Sequence, residues 1–527
     1  MRRVYRVLER VVIGVVVAVA VLVAVVSLRL MSGPVELDFL KTRIAQEFDT
    51  PGGKMRLHAD RVYVEWSGVS QPVRLVFSGL HVTDADKRDV ATAPSVALSF
   101  EARSLVSGHL LPNAIVVEQP SLDAEIAREG GMLQRIFASK DADSQSEVVA
   151  LLIEQLLAEP NYKTLLGQLD TVLVEHAKVT LHDIPTGIVW TAPSARASLK
   201  RDAKGVIIGA DARFTRSGID QPVDVSLSGV YTRDRSRISI EAKLDGLNPL
   251  MFADFAPEMK VLRGVDIALS GRMNVEASGE GDVRSVRMEV NGGRGMLTLP
   301  GVLSTSHAVR SVNALAFLDT ATSVVTVDHV DVDLGAAKLG MTGVGRKTGG
   351  TQSFSGRADL REIPVDRLGE YWPLDLADGG RQWALGNLSG GTVDVGAEFA
   401  LSAPADDLGQ LKVDRVVGLL AYRGLRIHYM PQMPELENVS GKARYENGTL
   451  HFDVAGGTSV GLGVAGATID LTGLEGDEQF AALRLPIAGP VTAVNALLAR
   501  PKLGLPKDAL FDPKRIEGDA AIDLTLR

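Results

Sequence analysis

The chain has 527 residues, 45% of them apolar and only 5% aromatic, with a net charge of −9 and no cysteine. An acidic chain poor in aromatics argues against nucleic acid as a partner, because phosphate binding needs a basic face and base stacking needs rings. The missing cysteines exclude disulfides, thiol catalysis and cysteine-ligated zinc or iron–sulfur sites. In chain order, Arg2, Arg3, Arg6 and Arg10 precede an uncharged run from Val11 to Leu28, VVIGVVVAVAVLVAVVSL. As a helix this run is about 27 Å long, enough to cross a bilayer core. The sequence therefore predicts a transmembrane anchor through Val11, Ile13, Val17, Leu22, Val26 and Leu28. The positive-inside rule puts the N-terminus in the cytoplasm and the body across the membrane. A cleaved signal peptide is the alternative, but the run is long for one, and Leu28-Arg29-Leu30-Met31 offers no small-x-small cleavage site.

Past Gly33-Pro34 a short helix is expected over 38–48, and strands follow. Val62, Val64 and Trp66 share one face of an extended chain, as do Val73, Leu75 and Phe77, and then Ala114 and Val116. Residues 144–170 read as a helical insertion: Ser144 and Glu147 form an S-x-x-E capping box, Val148, Leu151, Leu152 and Leu156 make an apolar stripe, and 162–169 a second helix. Strands resume at Thr171. Val223, Val225 and Leu227 alternate with polar residues, and so do Ile238, Ile240, Ala242 and Leu244, with Thr232-Arg233-Asp234-Arg235 as the hairpin turn. The run from Val325 to Leu334 shifts phase at Asp328-His329, which predicts a bulge. Two short helical turns are expected around Pro373, strands from Gly391, a tight hairpin at Asn447-Gly448 and a last short helix over 490–499. The boundaries are 1–32 for the cytoplasmic tip and anchor, 33–143 for an N-terminal β segment, 144–170 for the insertion, 171–390 for a central β region and 391–527 for a C-terminal one. Ile522, Leu524 and Leu526 still alternate at the end, so a truncated array is expected.

The fold class is mostly β with few helices, and the question is what covers so many apolar strand faces. Sheets packed as sandwiches cover each other. The alternative is an elongated, strongly bent antiparallel sheet with a greasy groove, which an apolar guest fills; beside a membrane anchor, phospholipid acyl chains are the evident guest. Candidate groove residues are Val223, Val225, Leu227, Ile238, Ile240, Val393, Val395, Phe399 and Leu401.

Motifs of chemistry are weak. Gly461-Leu462-Gly463-Val464-Ala465-Gly466 has the spacing of a dinucleotide loop but runs into the strand-like Ala467-Thr468-Ile469. Gly345-Arg346-Lys347-Thr348 departs from a P-loop at Arg346. Asp328, Asp331 and Asp333 read as a solvated strand face. His176 and His182 have even spacing around a strand but no evident third ligand, so neither metal nor cofactor is expected. With no His-Asp pair placed near a convincing nucleophile, an anchored hydrolase is disfavoured.

Several stretches are similar to the AsmA-like proteins, especially the YhdP branch. GPVELDFLKTRIAQEF after the anchor resembles their first periplasmic segment. Tyr371-Trp372-Pro373, Arg381-Gln382-Trp383 and Asn387-Leu388-Ser389-Gly390-Gly391-Thr392-Val393 resemble the branch's "WP … R-x-W … N-L-x-x-G-x-V" signature. Tyr429-Met430-Pro431-Gln432-Met433-Pro434 with Asn438-Val439-Ser440-Gly441, and then LARPKLGL from Leu498, resemble the segments that follow it. The resemblance implies a Gram-negative inner-membrane protein facing the periplasm, a bridge-like β-groove and a role in phospholipid traffic toward the outer membrane and its permeability barrier. It also implies periplasmic or outer-membrane partners at the C-terminal edge and no enzymatic chemistry. Members of that branch are commonly much longer. The alternative is a scaffold for outer-membrane protein assembly with closed sandwich cores.

Overall fold

The computed structural model describes residues 25, 29, 32–37, 55–66, 73–84, 89–100, 111–126, 142–164, 166–184, 186–254, 257–405, 410–474, 476, 478–500 and 517–526. The expected anchor residues Val11, Ile13, Val17, Leu22, Val26 and Leu28, and the helix expected over 38–48, lie outside them. Among the described residues no helix is long and apolar enough to cross a membrane. What is described is a large, mostly antiparallel β-sheet, 27 strands in all, with a few short helices. The chain divides into two compact units: residues 1–246 with 274–283, and residues 247–273 with 284–527.

The first unit contains β1 (Val35–Glu36), β2 (Met55–Glu65), β3 (Val73–Asp84), β4 (Asp89–Phe100), β5 (Ala114–Glu118), β6 (Ser121–Ile126), α1 (Ala142–Leu157), β7 (Thr171–Asp183), β8 (Ile188–Asp202), β9 (Gly205–Arg216), β10 (Ile219–Thr232) and β11 (Arg237–Leu247). β1 to β5 meander antiparallel, and so do β7 to β11. Between them β5 and β6 pair with β7 in parallel. A parallel neighbour needs a long crossover, and the α1 excursion supplies it. The insertion departs from expectation in two ways. α1 already includes Ala142, so Ser144 lies inside the helix and does not cap it. Residues 162–164 and 166–168 form bends and turns in place of a second helix. There the Asn161 carboxamide oxygen accepts from the backbone N–H of Lys163 at 3.0 Å and of Thr164 at 3.2 Å, an Asx-type turn that competes with helical bonding.

The second unit follows β12 (Val265–Ser278) with β13 (Val283–Leu297), β14 (His307–Val309), β15 (Ser311–Asp319), β16 (Val324–Asp333), β17 (Lys338–Thr348) and β18 (Thr351–Pro364). A helical break of α2 (Leu368–Tyr371) and α3 (Asp378–Asn387) comes next, then β19 (Leu388–Ser389), β20 (Thr392–Pro404), β21 (Lys412–Ile427), β22 (Leu436–Glu446), β23 (Thr449–Ser459), β24 (Leu462–Val464), β25 (Ala467–Thr472), β26 (Phe480–Pro490), α4 (Val491–Leu498) and β27 (Asp519–Leu526). The expected details are present. His329 faces Leu315 while Val327 faces Ala316, so Asp328 is the extra residue of a bulge. Asn447 and Gly448 turn with φ of 51° and 69°, the left-handed pair that joins twisted strands in a two-residue hairpin. Leu462–Val464 is a strand, as is Lys338–Thr348, so neither glycine motif opens a helix.

Candidate functional site

In an antiparallel pair, directly opposed residues point to the same side of the sheet. Register can therefore be followed from strand to strand. In the second unit one such line runs Gly292, Val312, Val332, Leu339, Leu360, Val395, Leu420, Ala443, Phe452, Ile469, Leu483, Leu526. It crosses twelve strands, from β13 to β27, without a polar side chain. The parallel line two residues along is Val290, Ala314, Val330, Met341, Ala358, Ala397, Gly418, Tyr445, Leu450, Leu471, Ala481. The line between them, on the other face, includes Asn291, Asn313, Asp331, Asp359, Arg444, His451 and Asp470. One face is thus dry across the unit and the other wet.

The first unit repeats the pattern. Val62, Phe77, Val96, Val117, Val174, Ala197, Ala210, Leu227 and Ala242 form one line across nine strands. On its other face Asp211 faces Ser226 and Arg213 faces Asp224, the latter as an ion pair at 2.6 Å. The described cavity of this face, about 640 Å³, is lined by Glu175, His176, Arg196, Asp211, Arg213 and Lys243 among others, so the trough here is charged.

Helices roof each dry face at one end. In the first unit Leu156 and Leu157 of α1 pack with Leu169, Val172 and Val206, and against Leu199 and Tyr231. Two arginines hold the end of the helix. Arg201 donates to the carbonyls of Gln155 (2.9 Å), Leu169 (2.6 Å) and Ala158, and Arg233 donates to that of Leu157 (2.9 Å). Cations complement the negative end of a helix. Burial pushes the Arg201 guanidinium below its usual value, with Asp170 opposing.

In the second unit Leu368, Tyr371 and Ala384 of α2 and α3 form a core with Ile267, Val309 and Ile363, and Val312, Val332 and Leu360 of the dry face pack against it. The His307 ring stacks on Tyr371 at 4.5 Å, its Nε2 sits 3.0 Å from the Glu370 carbonyl, and Trp372 Nε1 donates to the Leu376 carbonyl at 2.7 Å. The Tyr371-Trp372-Pro373 stretch is thus part of the roof. A second roofed core joins Val365, Val393, Tyr422, Leu425 and Val439. Burial, with Asp453 adding, pushes the Tyr422 phenol up to about 12.

Away from the roofs the dry face opens. Val325 and Val416 are each 39% exposed and Val413 63%. The lining is smooth as well as apolar. Phe354 and Phe399 lie with centroids 5.9 Å apart and planes 26° off parallel. Gly343 leaves room for them: a Cβ there would come within 2.5 Å of the Phe354 ring. Of the nine residues singled out from sequence, Val223, Val225, Leu227, Ile238 and Ile240 share the dry face of the β10–β11 hairpin. Val223 is buried and Leu227 exposed. Val393, Val395, Phe399 and Leu401 share the dry face of β20; Val393 belongs to the roofed core, and the other three lie beyond it. His182 and His176 do not converge: His182 Nε2 is 2.9 Å from Asp123, whereas His176 Nδ1 is 3.7 Å from Glu118. The sequence reading missed Glu118 and Glu175, which stand beside His176. No known protein family, curated protein or solved structure matches the chain.

Proposed function

We propose that the open dry faces hold phospholipid acyl chains, and that the protein conducts phospholipid from the inner membrane, where its N-terminal run anchors it, through the periplasm toward the outer membrane. The observation that carries this reading is the unbroken apolar line across twelve strands, roofed at one end and open beyond it. Acyl chains fit such a surface chemically: burial stabilises each methylene by about 0.8 kcal/mol and demands no polar partner. Rows of equivalent valines, alanines and leucines let a chain slide without a deep trap. The smooth floor of Gly343, Phe354 and Phe399 suits a flat apolar guest. The similarity of the Tyr371-Trp372-Pro373 and Asn438-Val439-Ser440-Gly441 stretches to the AsmA-like proteins, YhdP branch, points the same way, as does the uncharged run from Val11 to Leu28. A role in the permeability barrier, with periplasmic or outer-membrane partners at the C-terminal edge, belongs to the same proposal. No enzymatic step is part of it.

The competing reading, an assembly scaffold for outer-membrane proteins, is favoured only by the roofed cores, where apolar side chains already meet protein. Native mass spectrometry of gently extracted protein separates the two. Conduction predicts several phospholipids per chain, in a spread of occupancies. A protein that emerges free of lipid contradicts it.

A further inference from the structure

The charged face of the first unit carries a feature unconnected with lipid. β5 and β6 form one run interrupted at Gln119-Pro120, and at the same level their parallel neighbour β7 shifts register against β8, between Val174 and Ala177. Gln119 and His176 take left-handed backbone there, with φ of 51° and 55°. Bulges re-aim side chains, and facing irregularities on two neighbouring strands re-aim several at once. Here they gather Glu118, Glu175 and His176, whose ligand atoms lie within 4.8 Å of one another. Glu118 and Glu175 are direct register partners, a like-charge juxtaposition that an ordinary sheet avoids. His176 reaches Glu118 at 3.7 Å. Among the described residues nothing pairs with the Glu175 carboxylate.

We propose that Glu118, Glu175 and His176 bind a divalent transition-metal ion. Carboxylate oxygen and imidazole nitrogen are both zinc ligands, and three of them leave a fourth position for water. A tetrahedral zinc ion with ligands at about 2.1 Å holds them about 3.4 Å apart, close to the 3.7 Å between His176 and Glu118. Glu175 and His176 also line the 640 Å³ charged trough, which gives the ion and its waters access. Bound there, the ion removes the repulsion between the paired carboxylates and ties β5 to β7 where the ladder is broken. Arg196 lines the same trough and opposes the ion, whereas the trough's other cations, Arg213 and Lys243, are paired with Asp224 and Glu241.

Calorimetric titration of the full chain in mild detergent with Zn²⁺, after dialysis against a chelator, tests the assignment. One saturable equivalent is expected. His176→Ala and Glu175→Gln should each weaken it by about tenfold or more. His182→Ala, whose imidazole pairs elsewhere, should leave it unchanged, and Arg196→Gln should tighten it. Circular dichroism reports whether each variant folds; should either ligand variant unfold, the Arg196→Gln result decides. Non-saturating uptake, uptake indifferent to both ligand variants, a loss in His182→Ala as large as in His176→Ala, or no gain in Arg196→Gln overturns the proposal.

Discussion

Val393 and Val395 lie two positions apart on β20 and point to the same side of the sheet, yet their surroundings differ. Val393 is 6% exposed, in a core with Val365, Tyr422, Leu425 and Val439; Val395 is 37% exposed. The alternation that puts both on the dry face says nothing of what lies above them. That depends on the chain returning over one end of the sheet, where Val365, Leu388 and Leu436 pack into the core of Val393 and stop short of Val395. The roofed end is a protein core, whereas the open stretch leaves apolar side chains exposed.

Substitutions at the two places should therefore fail in different ways. The largest effect is expected from Val439→Asp, which puts a carboxylate at a site 3% exposed in a core with Val365, Val393, Tyr422 and Leu425. Burying an unpaired charge should cost more than about 3 kcal/mol, read as a fall in the urea midpoint. Val416→Asp, in the open stretch, should change stability by less than about 1 kcal/mol and strip bound lipid severalfold; an unfolded Val416→Asp would place Val416 in a closed core. A smaller loss, about 1–2 kcal/mol, is expected of Gly343→Ala, whose new Cβ would displace the Phe354 ring, with lipid occupancy falling as the floor roughens. Thermal melts with lipid counted alongside check both parts.

The smallest effect concerns the wet face. His451 donates through Nδ1 to Asp470 at 2.6 Å and through Nε2 to Asp453 at 3.2 Å, and the hydrogen bond to Asp470, with Asp453 adding, raises its pKa above the ordinary 6.5. A raised folded-state pKa means that the imidazolium's contribution is full below pH 6.5 and fades as pH climbs through the folded value. Melting temperature should show that fade in the native chain, and His451→Gln should flatten it. An unchanged pH profile in His451→Gln would remove His451 as its source.

Much of this architecture was legible in the residues. Period-two alternation placed Val225, Leu227, Ile240 and Leu244 on one face because side chains on a strand can point only two ways. The left-handed preference of Asn447-Gly448 and the phase slip at Asp328-His329 are local signals, and both turned up where they were read. What was not legible is non-local. Register between strands decides that Val395 meets Leu360 on one side and Leu420 on the other, and no single strand encodes it. The parallel pairing of β5 and β6 with β7 depends on how the α1 excursion returns, and it is this pairing that brings Glu118 to Glu175 and His176 across more than fifty intervening residues. The capping box at Ser144 failed because the helix begins before it, and the second helix failed because Asn161 satisfies the backbone first.

The account rests on the open dry face of β20 touching lipid, and its two-residue period offers the most direct test. A photoreactive amino acid placed in turn from Asp394 to Ser402, with ultraviolet light applied to the protein in native membranes, reports which positions meet phospholipid. Adducts at Val395, Ala397, Phe399 and Leu401, and none at Asp394, Glu398 and Ser402, are predicted. Lipid adducts without that alternation, or none on either face, would contradict it.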